Sequence, residues 1–299
     1  QTGRISESLV ANQKSIKLTP QDAEAHNNLG NTLKELGRLE EAEASYTQAI
    51  TLKPDYAEAH SNLGITLKEL GRLEEAEASY TQAITLKPDY ANAYNNLGNT
   101  LLEIGRLEEA EASYTQAIAL KPDFAEAHSS LGVTLKRLGR LDEAEASYTQ
   151  AIALKPDYAE AYNNLGNMHQ ELDRFDESEA SLRQAITLKP DFAEAHSSLG
   201  VTLKRLGRLD EAEASYTQAI ALKPDYAEAY NNLGNMHQEL DRFDESEASL
   251  RQAITLKPDF AEAHSSLAVT LNQLGRFNES LASLRQAITL KPDYIEAHI

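Results

Sequence analysis

Nine prolines stand at a single spacing: Pro20, Pro54, Pro88, Pro122, Pro156, Pro190, Pro224, Pro258 and Pro292, each 34 residues after the last. A period of that length is the mark of one supersecondary unit copied in tandem, each copy too small to bury its own apolar surface without neighbours. One full period, AEAHNNLGNTLKELGRLEEAEASYTQAITLKPDY, runs from Ala23 to Tyr56. Eight such repeats fill residues 23–294, as 23–56, 57–90, 91–124, 125–158, 159–192, 193–226, 227–260 and 261–294. Residues 1–22 align with the second half of a period, a partial repeat holding only its second helix. Residues 295–299 begin a ninth repeat that stops at once, so both ends are expected to be cuts inside repeats. Residues 125–192 match residues 193–260 at all 68 positions, by duplication or by construction.

Each period predicts two amphipathic helices. His26, Leu29, Gly30 and Leu33 recur at steps of three and four, one apolar stripe on a first helix, while Glu24, Asn27, Asn28, Asn31, Lys34 and Glu35 are expected opposite it. Leu39, Ala42, Tyr46, Ala49 and Ile50 make the stripe of a second helix whose far side carries Glu40, Glu41 and Glu43. Gly37 suits a left-handed helix end, and Pro54 stops the second helix. Asp55, three residues before Glu58, has the form of a capping box. A hairpin this short recovers too little apolar burial to offset about 1 to 2 kcal/mol of backbone ordering per residue, so stacking is obligatory. The expected fold is therefore all-α: a solenoid of stacked antiparallel helix pairs, with Gly30, Ala42 and Ala49 allowing close helix approach.

Composition narrows the function classes. The chain has 299 residues and no Cys, which removes disulfides, thiolate metal sites and a Cys nucleophile. Its 28 Lys and Arg against 47 Asp and Glu leave a net charge of −19, a field that repels nucleic-acid phosphates and anionic membranes. No apolar run approaches the roughly 20 residues of a membrane span, and no signal-peptide stretch opens the sequence, so a cytoplasmic location is expected. His26, His60, His128, His196 and His264 stand one period apart and read as packing residues, not as ligands of a shared metal. The glutamates read as a solvated helix face, no nucleophile or phosphate-cradling loop accompanies them, and neither catalysis nor a cofactor is expected.

The pattern Leu29, Gly30, Leu33, Ala42, Tyr46, Ala49, Pro54 resembles the tetratricopeptide repeat family, position for position and over essentially the whole chain. The family's usual Trp is His26, His60, Tyr94, His128, Tyr162, His196, Tyr230 or His264 here, and its Gly is lost only at Ala268. The resemblance implies a right-handed superhelix whose first helices line a concave groove that binds peptides or protein segments. The Asn-Asn-Leu-Gly-Asn wording is similar to the superhelical arm of O-linked N-acetylglucosamine transferases and to long bacterial and archaeal arrays.

On that reading the groove floor is the column Asn28, Asn62, Asn96, Ser130, Asn164, Ser198, Asn232 and Ser266. A carboxamide offers two donors and an acceptor, which suits an extended peptide backbone of any sequence. The alternative use of the same amides is to bridge adjacent repeats. Around the floor the repeats alternate: Asn99, Asn167 and Asn235 hold a position taken by Val133, Val201 and Val269 in between. Lys136, Arg137, Lys204 and Arg205 stand where Gln170, Glu171, Gln238 and Glu239 stand one repeat later. These basic pairs either receive acidic and apolar segments of a partner or are copied surface. Glu24, Glu58, Asn27 and Asn95 occupy the places of the cations that capture of an acidic C-terminus would need. The expectation is a non-enzymatic scaffold for extended protein segments. Two other readings stay open: the recruiting arm of a larger glycosyltransferase or sulfotransferase, and a structural or engineered array that self-stacks end to end through its truncated terminal repeats.

Overall fold

The computed structural model describes residues 2–292, which places the expected start of a ninth repeat, 295–299, outside the described residues. Among the described residues there are seventeen helices and no strand. The chain divides into two compact units, Gln1–Lys155 and Pro156–Ile299.

The N-terminal unit contains α1 (Thr2–Leu18), then the pairs α2 (Ala23–Glu35) with α3 (Leu39–Leu52), α4 (Ala57–Glu69) with α5 (Leu73–Leu86), α6 (Ala91–Ile104) with α7 (Leu107–Leu120), and α8 (Ala125–Arg137) with α9 (Leu141–Leu154). The C-terminal unit contains α10 (Ala159–Glu171) with α11 (Phe175–Leu188), α12 (Ala193–Arg205) with α13 (Leu209–Leu222), α14 (Ala227–Glu239) with α15 (Phe243–Leu256), and α16 (Ala261–Gln273) with α17 (Phe277–Leu290). In each unit the two helices of a pair pack most extensively, and each second helix packs on the first helix of the following pair. First helices also touch from one pair to the next, α2 on α4, α4 on α6 and α6 on α8, then α10 on α12, α12 on α14 and α14 on α16. Successive second helices show no comparable packing. Within each unit, therefore, the first helices form the inner wall and the second helices the outer one.

The turns follow local chemistry. Gly37 takes φ +70°, its N–H reaching the Lys34 carbonyl at 2.9 Å while the Arg38 N–H reaches Leu33 at 2.9 Å. This left-handed residue closes the first helix at no Cβ cost. Asp173 and Asp241 hold the same corner at φ 54° and 55°. At the other turn, Lys53 is extended (φ −139°, ψ 87°), as a residue before proline must be. The expected capping box at Asp55 does not form: Tyr56 is the N-cap of α4 and no side chain caps that helix. Asp55 stands one residue too early, inside the turn that the Tyr56 N–H closes on the Lys53 carbonyl at 3.1 Å. A carboxylate cap is present at α2, where Asp22 occupies the register that Tyr56 holds later and accepts from the Glu24 and Ala25 N–H groups at 3.0 and 3.2 Å. At the aromatic register the ring is instead covered by a cation, Lys53 Nζ lying 4.8 Å from the Tyr56 centroid.

The core of a repeat is a ring against a bare backbone. Tyr46 is fully buried, and a Cβ added at Gly30 would fall 2.6 Å from its Cε1. The same contact recurs at Gly64 with Tyr80, Gly98 with Tyr114, and Gly200 with Tyr216. Where Leu182 or Leu250 replaces the ring, Ser178 and Ser246 replace the facing Ala and join Thr202 and Thr270 in buried hydroxyl pairs at 2.9 Å.

Outside the core an ionic ladder joins repeats. Arg72 donates to both Glu43 oxygens of the preceding repeat at 2.8 Å and to Glu75 of its own at 2.6 and 2.7 Å. Arg106 does so with Glu77 and Glu109, Arg208 with Glu179 and Glu211, and Arg276 with Glu247 and Glu279. A second rung pairs Lys87 with Glu58 and Lys223 with Glu194, at 2.8 and 2.9 Å. The pairs within a repeat and the lysine rung are well exposed and contribute at most about 1 kcal/mol each, while the inter-repeat carboxylates, such as Glu43 and Glu179, are half-buried against arginines that remain exposed. The apolar stacking, not the ladder, holds the repeats together. Among the described residues no helix is long and apolar enough to cross a membrane.

Candidate functional site

The inner wall of each unit presents the first-helix residues that point away from the ring-and-glycine core. Asn28 is exposed on it, and Asn62, Asn96, Ser130, Asn164, Ser198, Asn232 and Ser266 are half-buried along it. The column is not chemically uniform. Asn62 is tied down: its Nδ2 donates to Asn27 Oδ1 of the preceding repeat at 3.0 Å, the bridging use of the amide. Where serine takes the column, the bridge is missing. Asn95, Asn163 and Asn231 are the counterparts of Asn27, each followed one repeat later by Ser130, Ser198 or Ser266, and each has a buried Oδ1 with no hydrogen-bond partner. A serine is too short to deliver an N–H where Asn62 delivers one. Ser130→Asn is accordingly expected to restore the pair and raise stability by about 1 kcal/mol, read from urea unfolding of the full chain; a loss of stability would refute the bridge.

The neighbouring column divides as well. Asn99 accepts from the Tyr114 hydroxyl at 2.8 Å, as Asn31 does from Tyr46, so both oxygens serve their own repeats. Asn167 and Asn235 face Leu182 and Leu250 in the corresponding register and are free of that bond. The glutamines of the alternating repeats, taken from sequence as part of the groove's changing charge, are braces: Gln170 Nε2 donates to the Ser198 carbonyl and Thr202 Oγ1, both at 2.6 Å, and Gln238 repeats the arrangement on Ser266 and Thr270. Sequence reasoning missed this role because the acceptors lie in the following repeat.

The basic pairs are also differentiated. Lys136 and Lys204 are half-buried, and Lys204 Nζ lies 2.7 Å from Glu239. Arg137 is exposed and donates to the Leu102 carbonyl at 2.9 Å. Arg205 is exposed, has no carboxylate partner among the described residues, and sits with its guanidinium 5.8 Å from the Phe175 ring centroid.

Two recesses open on this wall, one in each unit. The first, about 210 Å³, is bounded by Ile65, Lys68, Glu69, Tyr80, Asn96 and Asn99. The second, about 110 Å³, is bounded by the residues in the same registers, Val201, Lys204, Arg205, Tyr216, Asn232 and Asn235. Tyr80 and Tyr216 are each 1% exposed, yet neither hydroxyl has a hydrogen-bond partner among the described residues. Burial pushes both phenols well above their ordinary pKa, helped by Glu69 and Glu239 respectively, so both stay protonated donors at neutral pH. A larger recess of about 390 Å³ reaches Arg183, His196 and Gln218, but Arg183 is engaged by Glu179 and Glu211, and His196 lies against the Pro190 carbonyl at 3.0 Å.

The repeated histidines have a local task. His26, His60, His128, His196 and His264 each place Nε2 3.0 to 3.2 Å from the proline carbonyl six residues earlier, pinning the turn to the first helix. His237 is buried, with Nε2 3.2 Å from Glu213. Among the described residues no three His, Asp or Glu side chains converge as a metal would require. The wall offers amide donors and acceptors, two phenolic donors and localised charge, all fixed on rigid helices.

Models of the tetratricopeptide repeat match the chain at residues 11–44, 57–123, 95–159, 130–191, 227–260 and 261–294, and a model described as TPR repeat matches 30–71 and 203–241. No curated protein matches by sequence. Among solved structures the chain is similar to one titled as the APC/C hetero-tetramer Cut9-Hcn1, at TM-score 0.70 and 19% identity over 95% of this chain and 56% of that one. It is also similar to the pilF protein of Pseudomonas aeruginosa, at TM-score 0.63 and 19% identity over 70% of this chain and 95% of that one. The chain thus spans little more than half the length of the first of these, and at such identity the likeness is one of fold.

Proposed function

Because this chain belongs to the tetratricopeptide repeat family, whose members serve as protein-interaction scaffolds, we propose that it is a non-enzymatic scaffold that holds extended peptide or protein segments against the inner wall of its first helices. The observation that carries the proposal is the set of uncommitted amides on that wall. Asn96, Asn232 and Asn235 line recesses, and no intramolecular bond takes up Asn232 or Asn235. A half-buried carboxamide that has not been used within the fold retains donors and acceptor for an incoming backbone. Because each contact is weak, affinity builds along the chain as successive repeats engage one extended ligand, an effect of avidity rather than of one deep pocket.

The test is a display library of random peptides selected on the wild-type chain and on the triple variant Asn96→Ala, Asn164→Ala, Asn232→Ala. Each lost backbone bond removes about 0.5 to 1.5 kcal/mol, so selected peptides are expected to bind the variant roughly tenfold or more weakly, with the thermal midpoint little changed. Equal binding by both chains would place the ligand elsewhere.

A further inference from the structure

Resting on that reading of the wall, we propose that the recess bounded by Val201, Lys204, Arg205, Tyr216, Asn232 and Asn235 is a specificity subsite for a carboxylate side chain, Asp or Glu, of the extended ligand. Three observations carry it. First, Tyr216, a side chain only 1% exposed, lines the recess, and its hydroxyl has no partner among the described residues. A donor fixed on a packed ring and opening into a recess is poised for an acceptor supplied from outside. Second, Asn232 and Asn235 line the recess and add amide N–H groups that no bond among the described residues takes up. A carboxylate accepts through four lone pairs, which matches a phenolic donor and two amide donors better than a hydroxyl or ammonium ligand does. Third, the rim holds two cations, Lys204 and Arg205, against one carboxylate, Glu239 at 2.7 Å from Lys204. The local sign is therefore positive on a chain of net charge −19.

The recess in the N-terminal unit supplies the contrast within the same molecule. It keeps the tyrosine hydroxyl, the lysine and both asparagines, but Glu69 replaces Arg205, Lys68 is 3.3 Å from Glu103, and the Asn99 oxygen is taken by Tyr114. Its rim carries one cation against two carboxylates, which favours a neutral or basic side chain. The two recesses thus share their registers but differ in size and in the charge they would select.

The experiment extends the same display selection to Arg137→Glu with Arg205→Glu, the first substitution covering the identical Val133, Lys136, Arg137 sequence, and to Tyr216→Phe. Wild-type selections are expected to be enriched in a single acidic position. Replacing that residue by its amide should weaken a labelled peptide about tenfold in fluorescence polarisation, and the arginine double variant should abolish the preference. Tyr216→Phe, which keeps the packed ring, should weaken the acidic peptide several-fold and its amide counterpart less, because the bond to an ionised carboxylate is the stronger one. If wild type and the double variant select the same peptides with no acidic position, the carboxylate subsite is wrong while the scaffold reading stands. If the wild-type chain selects no peptide at all, both fall.

Discussion

Raising the pH from about 10 to 12 is expected to unfold the chain cooperatively, with tyrosine ionisation and loss of helix arriving together. Tyr80, Tyr114 and Tyr216 are at most 1% exposed, and burial raises each phenol above its ordinary pKa, with Glu69 adding to the effect at Tyr80 and Glu239 at Tyr216. The direction of the effect follows from the neutral form being the one the fold retains. Below the unfolded-state pKa the contribution of these residues is complete; above it the unfolded chain ionises freely while the folded chain cannot, and stability is lost. The loss is about 1.4 kcal/mol per pH unit for each such tyrosine, set against a total stability of about 5 to 15 kcal/mol for an ordinary domain. Tyr80 and Tyr114 lie in the N-terminal unit and Tyr216 in the C-terminal one, so both units are affected. Tyrosinate absorbance recorded alongside far-ultraviolet circular dichroism checks this. Full ionisation while helicity is intact would show that Tyr114 too, 0% exposed with its hydroxyl bonded to Asn99, is reachable by hydroxide, and would overturn its packing. Tyr114→Phe should move the alkaline midpoint upward, since it removes the ionisable group and keeps the ring.

Much of this fold is legible in the sequence because its constraints are local and recur. The proline spacing, the stripe through Leu29, Gly30 and Leu33, and the turn glycine at Gly37 each act within one repeat, and the helices follow them closely. The expected cap at Asp55 fails because a capping box is defined by residue types, whereas the cap is the last residue to keep a non-helical backbone before the helix begins. That residue is Tyr56, and at α2 it is Asp22. The inner wall was legible as a column of positions but not as a set of free or engaged groups. Asn62 and Asn232 are the same residue in the same register. One is bonded to Asn27 across a repeat boundary, and the other follows Ser197 and has no such acceptor. Whether an amide is spent depends on a residue one repeat away, and the alternation of Asn and Ser becomes informative only when the two registers are seen to touch. The tyrosine hydroxyls at Tyr80 and Tyr216 gave no signal at all in the sequence. Tyr46 and Tyr114 look identical to them, yet their hydroxyls are taken by Asn31 and Asn99, while Ile65 and Val201 offer the other two nothing to bond.

The contact between ring and glycine makes the sign of one substitution depend on another. Gly98→Ala should destabilise the chain by about 1 to 3 kcal/mol, although alanine is the better helix former. The added methyl would stand 2.7 to 2.9 Å from three carbons of the Tyr114 ring, and that ring is fully buried, with its hydroxyl held by Asn99. Tyr114→Ala should cost more, about 3 to 5 kcal/mol, because it empties the centre of the repeat and withdraws the hydroxyl from Asn99. In the double variant the methyl enters the space the ring has left. Gly98→Ala introduced on the Tyr114→Ala background should then stabilise by about 0.5 to 1 kcal/mol, the ordinary preference of a helix interior for alanine, so that the single substitution changes sign. Urea unfolding of the four chains followed by circular dichroism provides the cycle. A stabilising Gly98→Ala in the presence of Tyr114, or additive losses in the double variant, would mean that the glycine is not there to admit the ring. The spacing of the first and second helices, on which the inner wall and its recesses depend, would then need another cause.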